Sequence, residues 1–204
     1  MIFLSTGGFS SLSGAEVAGC FIESKITNIE LSGGIAKEDQ EENLFDLTSI
    51  CSFHVHNYFP PPEKSFVLNL ASFNEEIASL SFEHITRAID LSEKLGSKFY
   101  SFHAGFLLDP QPKDLGKKFT KEKLNHRESA KEIFVNRVNR ISDYAKKKGI
   151  IILLENNVIS NSNMKHFGTN PFLMTNHFET IEIMKATHDN VRLLIDVAHL
   201  KVSS

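Results

Sequence analysis

The chain has 204 residues, with 22 Lys and Arg against 25 Asp and Glu and a formal net charge of −3. Hydrophobic residues make up 41% and charged residues 23%, a balance that excludes a disordered chain, and the length suffices to bury roughly 70% of the surface exposed on unfolding. No apolar run reaches the ~18 residues of a membrane helix, and the basic excess usual in nucleic-acid proteins is missing.

One domain over residues 1–204 is expected. Residues 1–22 are apolar enough to raise the question of a signal peptide. No Lys or Arg precedes Lys25, however, Glu16 interrupts the run, and Gly7, Gly8 and Gly14 break any helical apolar region. The stretch is read as the first strand and helix of the fold, and the protein as cytoplasmic. Cys20 and Cys51 lie far apart without CxxC spacing and are expected as free buried thiols of a reducing compartment, a single disulfide being the alternative.

Six short runs rich in Ile, Val, Leu or Phe follow one another at residues 2–4, 26–31, 52–55, 99–102, 150–154 and 191–195. They are expected as strands buried on both faces. Helices fall between them. Ser72 to Glu75 reads as a capping box, after which Ile77, Leu80, His84, Ile85, Ala88, Leu91 and Leu95 recur at helical spacing until Gly96. A second helix carries Phe134, Val138, Ile141 and Ala145, ends in Lys146, Lys147 and Lys148 at the negative pole of its dipole, and closes at Gly149. Further helices are expected near 14–24, 37–49 and 177–188.

Strand–helix alternation implies parallel pairing through right-handed crossovers, in an open doubly wound sheet or a (β/α)8 barrel. A barrel has eight units in ~250 residues, and about six units are present here. The polar residues decide for the barrel. Glu30 ends the second run, His54 and His56 the third, His103 the fourth, Glu155 the fifth and Asp196 the sixth, with His199 just beyond. In a barrel these ends converge on one face, where catalytic groups sit. Mixed imidazole and carboxylate donors suit Zn, Mn, Fe or Co, whereas carboxylates alone would suit Mg better. Glu155 follows five consecutive aliphatic residues, so its burial is costly unless it pairs or binds a metal. Asp196, after Leu193, Leu194 and Ile195, follows the same logic. His84, His126, His166, His177 and His188 read as surface or core filler, and the Gly7–Gly8 and Gly33–Gly34 pairs as ordinary βα turns.

Four segments carry a resemblance. His56-Asn57-Tyr58 with 67–72 resembles the "HAPY…iNLAS" segment of the xylose-isomerase-like TIM-barrel superfamily, which includes the endonuclease-IV-type apurinic endonucleases. Residues 102–105 are similar to its "FHPG", 153–156 to its "LLEN" and 194–199 to its "iDtcH", all in the family's order. The resemblance implies a barrel with a divalent-metal site (Zn, Mn, Co or Mg) on its C-terminal face. His56, His103, Glu155 and Asp196 match metal positions. Glu155 matches the proton shuttle of the epimerase branch, and His199 matches either a zinc ligand or a substrate-hydroxyl contact. Glu30, His54 and Asn156 complete the expected substrate-binding set. Ala104 stands where the family has proline, and Asn57 where it has alanine. The family's last two units, with a His on strand seven and a Glu on strand eight, are missing, so the chain is expected to be the N-terminal part of a longer protein, or to be closed by another chain.

The function expected is that of a metal-dependent sugar or sugar-phosphate isomerase or epimerase. In it Glu155 moves a carbon-bound proton and the segments 104–128 and 156–176 lie over the substrate. Asn157, Ser160, Asn161, Ser162 and Asn163 suit polyol recognition. The alternative is a zinc phosphodiesterase acting on abasic DNA, supported by His56 and His103. Against it stand the charge balance and the acidic neighbours, Asp114 and Glu122, of Lys117, Lys118, Lys121 and Lys123. A non-catalytic relative is the third reading. The partner expected is a small sugar or sugar phosphate, with no membrane and no nucleic acid, and a homo-oligomer as the protein partnership in view.

Overall fold

A computed structural model describes residues 2–203. The elements run β1 (Leu4–Ser5), α1 (Gly14–Glu23), β2 (Asn28–Leu31), α2 (Gln40–Asp46), β3 (Ser52–His56), α3 (Glu75–Lys94), β4 (Phe99–His103), α4 (Arg127–Lys147), β5 (Ile151–Glu155), α5 (Asn161–Phe167), α6 (His177–Ala186), β6 (Val191–Leu194) and α7 (Val197–Ser203). The six strands pair in parallel in strict chain order, β1-β2-β3-β4-β5-β6. A doubly wound sheet would reverse its order at a switch point. Sequential order with a helix after each strand is the wall of a TIM barrel, and the fold is α/β of that type. Among the described residues the wall is an open arc, with β1 and β6 at its edges.

Each strand shows one face to the helices and the other to the inside of the arc. Ile29, Leu31, Phe53, Val55, Tyr100, Phe102, Ile152 and Leu154 are buried under the helices, where Ile85, Ala88 and Ile89 of α3 and Phe134, Val138 and Ile141 of α4 complete the core. The opposite face carries Glu30, His54, His56, Ser101, His103 and Glu155, matched across strands as Glu30 with His54, His56 with Ser101 and His103 with Glu155. The expectation of strands buried on both faces is therefore corrected. The inner face is polar at its C-terminal end and half-open elsewhere, with Phe99 38% exposed.

Local chemistry accounts for the element ends. Ser13 and Glu16 form a reciprocal capping box at α1. The box expected at Ser72 is not formed. Asn74 is the N-cap of α3 and accepts from the Glu76 N–H, whereas the Ser72 hydroxyl accepts from the Asn74 N–H and donates to Asp109. His126, expected as filler, caps α4 by accepting from the Ser129 N–H. The stretch 156–176 holds a helix, α5, between its N-cap Ser160 and a left-handed Gly168. Cys51 is buried as expected; Cys20 is exposed, because it lies on the outer side of α1, opposite Val17, Ala18 and Phe21. No described helix is long and apolar enough to cross a membrane.

Candidate active site

Glu155, the last residue of β5, sits at the centre of the polar face and is 4% exposed. Its Oε2 lies 3.5 Å from His56 Nε2 on β3 and 3.6 Å from His103 Nδ1 on β4. Its Oε1 lies 3.6 Å from His199 Nδ1 on α7. His199 Nε2 is 3.4 Å from Asp196 Oδ2. The strand ends thus gather five of the residues singled out in the sequence, and Glu155 belongs to two ligand-like groups. One is His56, His103 and Glu155, the other Glu155, Asp196 and His199, each with its donor atoms within 4.8 Å of one another.

These spacings are too long for hydrogen bonds. They match what two ligands of a shared cation require, since donors each ~2.0–2.1 Å from a tetrahedral zinc stand roughly 3.4 Å apart. His103 Nδ1 and Glu155 Oε2 are buried and lack a hydrogen-bond partner among the described residues. Buried polar atoms are seldom left so. A divalent cation would satisfy both, and the donor set fits one.

The backbone around β6 is tied to β5 by one side chain. The Asn156 Oδ1 accepts from the Asp196 N–H at 2.7 Å, its Nδ2 donates to the Asp196 carbonyl at 3.3 Å, and its own carbonyl lies 2.7 Å from His199 Nδ1. That last contact requires Nδ1 to carry a proton, and Nε2 faces Asp196. The His199 N–H donates to Asp196 Oδ1 at 3.0 Å. Asp196 and His199 therefore face one point because the chain turns into α7 between them.

Burial dominates the electrostatics. It pushes the Glu155 carboxyl up to about 8, with the neighbouring Asp196 and Glu30 charges adding to the effect. Burial lowers His56 to about 4, assisted by His54 and His199, and lowers His103 to about 3, assisted by His56 and His199. Asp196 would also be raised by burial, but the His199 N–H and the His199 ring hold it below its ordinary value.

Glu30 and His54 lie outside both ligand groups. His54 Nε2 is 2.9 Å from Ser101 Oγ, and the ring sits between Phe3 and Phe99. Ser101 was not singled out in the sequence, yet its fully buried hydroxyl also meets His56 Nδ1 at 2.8 Å and so bridges the two imidazoles. Its position two residues before His103 on β4, hence on the same face, is the signal that finds it. Asn57, which stands where the resemblance has alanine, adopts φ 44°, and its carbonyl accepts from Tyr100 Oη at 2.8 Å and faces His84 Nε2 at 3.1 Å. Asparagine tolerates this left-handed conformation where most residues do not. Asn69, also not singled out, is fully buried; its Oδ1 accepts from the Ala71 and Phe106 N–H groups and its Nδ2 donates to the Phe106 and Leu108 carbonyls. Two of the expected polyol contacts, Asn157 and Asn163, likewise have engaged amides. Asn157 Nδ2 donates to the carbonyls of Ala104, Gly105 and Leu173, and Asn163 accepts from the Phe119 N–H and donates to the Lys117 carbonyl.

The sequence profile of the xylose isomerase-like TIM barrel family matches residues 35–203, and the chain belongs to this family. Among solved structures it is similar to a D-tagatose 3-epimerase-like protein, at 20% identity and TM-score 0.64 over 93% of this chain and 65% of that one. It is also similar to an L-ribulose 3-epimerase, at 15% identity and TM-score 0.71 over 98% of this chain and 62% of that one. D-psicose 3-epimerase from Clostridium cellulolyticum H10, solved with D-tagatose, aligns at 16% identity and TM-score 0.62 over 92% of this chain and 59% of that one. At these identities the likeness is one of fold, and the chain spans less than two thirds of the length of each. No curated protein matches the chain in sequence.

Proposed function

We propose that this chain carries the metal-binding half-site of a sugar or sugar-phosphate isomerase or epimerase. The observation that carries the reading is the buried carboxylate of Glu155, shared between two donor groups and pushed up to about 8. The epimerases to which the fold is similar act on ketose sugars by their names, which supports a substrate of that class. His56, His103, Glu155 and Asp196 would hold a divalent cation, with His199 at its edge. A bound cation would polarise adjacent carbonyl and hydroxyl oxygens of the substrate.

The chain's own residues define the remaining roles. Glu155 takes a proton from carbon and returns it, as a positioned carboxylate base can. Asn156 holds Asp196 and the His199 ring in place through its two amide atoms and its carbonyl. His199 positions a substrate hydroxyl. Ser101 fixes the His56 ring through Nδ1 and leaves Nε2 facing Glu155. His54 and Glu30, on the same inner face one register step below His56, complete the substrate-binding set.

Glu155→Gln in the metal-loaded protein tests the assignment, because it keeps the shape and removes the base. Turnover is expected to fall by ~10²–10⁴. A variant within about threefold of the parent would remove Glu155 from the proton-transfer role.

One observation favours a second reading. The paired imidazoles of His56 and His103 on one carboxylate oxygen also suit a zinc phosphodiesterase. Such an enzyme on DNA would bind duplex tightly and with steep salt dependence, and a titration at two salt concentrations separates the readings.

A further inference from the structure

A chamber of about 630 Å³ opens beside the site, with His103 and His199 in its wall. Its volume falls in the range of roughly 300–1,000 Å³ that accommodates a drug-sized ligand. Most of its exposed lining is apolar, from Val67, Leu68, Phe106, Phe119 and Phe172 with the half-exposed Leu115, while Lys117, Lys118 and Ser162 supply polar atoms. The three phenylalanine rings pack on one another, Phe106 to Phe172 at 5.2 Å and Phe119 to Phe172 at 5.2 Å between centroids. They hold together the segments after β4 and β5, which also meet at a backbone bridge between Phe106 and Phe172.

The amides of Asn157 and Asn163 beside these rings are committed to the scaffold. Asn157 spends its donors on three backbone carbonyls. Asn163 is engaged at both ends, and the Ser160 hydroxyl accepts from the Asn163 N–H as the cap of α5. Sugar hydroxyls lodged against the phenylalanines would lose water and gain few partners. An apolar group would instead remove both its own surface and theirs from water.

We propose that this chamber receives an apolar group, about the size of one aromatic ring, attached to the carbohydrate that reacts at Glu155. The substrate class is then an aryl-substituted sugar rather than a free monosaccharide. This rests on the isomerase reading for the sugar half of the ligand.

Calorimetric titration with matched methyl and 4-nitrophenyl glycosides of D-glucose, D-galactose and D-xylose tests it. The 4-nitrophenyl member of at least one pair is expected to bind tenfold or more tighter than its methyl partner. Phe119→Ala and Leu115→Ser are each expected to narrow that ratio threefold or more. Leu115 is 48% exposed, so its variant keeps the test intact if Phe119→Ala does not fold. Equal binding within every pair, binding by none of them, or a ratio unmoved by either substitution would overturn the assignment. The ratio is read without turnover, so it fails separately from the isomerase reading. A flat ratio leaves the Glu155 role standing, and an active Glu155→Gln leaves the aryl preference standing.

Discussion

Glu155 and its two nearest imidazoles pull stability in opposite directions as pH changes in metal-free protein. The Glu155 carboxyl moves from an ordinary 4.5 up to about 8, so its contribution is complete below the lower value and is lost as pH rises through the higher one. His56 and His103 move from 6.5 down to about 4 and about 3, so their contribution is complete above 6.5 and is lost as pH falls through those values. Thermal unfolding in a chelator is therefore expected to give its highest Tm near pH 6.5, with a decline toward pH 8 that Glu155→Gln abolishes. A wild-type Tm that stays level from pH 6.5 to about 8.5 would contradict the burial of this carboxyl. The sequence made Glu155 legible because five aliphatic residues precede it, and it made His103 and Asp196 legible by the same placement at strand ends. Ser101 was hidden: a hydroxyl between Tyr100 and Phe102 gives no sign of which face it takes until the direction of His103 is known.

At the level of elements, apolar runs located all six strands to within two residues, since the helix-facing positions must be aliphatic or aromatic. The polar character of the inner face was legible only at the strand ends. Helix α5 was not legible. Its cap Ser160 and its closing Gly168 were in plain view, but seven residues with Met164 and Phe167 make no apolar stripe. The loop after β4 depends on close backbone approach instead. A Cβ at Gly105 would stand 2.6 Å from the Ala71 Cβ and 3.2 Å from the Ala71 nitrogen. Gly105→Ala is thus expected to cost about 1–3 kcal/mol in denaturant unfolding, as overpacking does. Stability within about 0.5 kcal/mol of wild type would mean that the Ala71 segment yields freely.

Across the whole molecule, barrel and doubly wound sheet were indistinguishable by alternation alone, because both alternate strand with helix. The gathering of Glu30, His56, His103, Glu155 and Asp196 at successive strand ends separated them, and the sequential order of the sheet agrees. The chemistry of the substrate was not legible to the same degree. Asn157 and Asn163 after β5 read as sugar contacts, and their amides also hold the backbone of two long segments together, a role that residue type alone does not disclose.

The half of the site on β6 is anchored differently from the half on β3, β4 and β5. His56, His103 and Glu155 stand on strands flanked on both sides, while Asp196 and His199 follow β6, which is paired on one side among the described residues and whose Arg192 and Leu193 are exposed. Asn156 is the side-chain clasp between the two halves. Local opening costs least where backbone hydrogen bonds have a partner on one side alone. Amide protons of residues 191–200 are accordingly expected to exchange with deuterium well before those of β4 and β5, and added ZnCl2 is expected to slow them selectively. Uniform exchange across the sheet, unchanged by zinc, would show the clasp alone to be sufficient. A cation held from both sides would then be more than a reagent: it would be the rivet by which a breathing edge is fastened to a rigid wall.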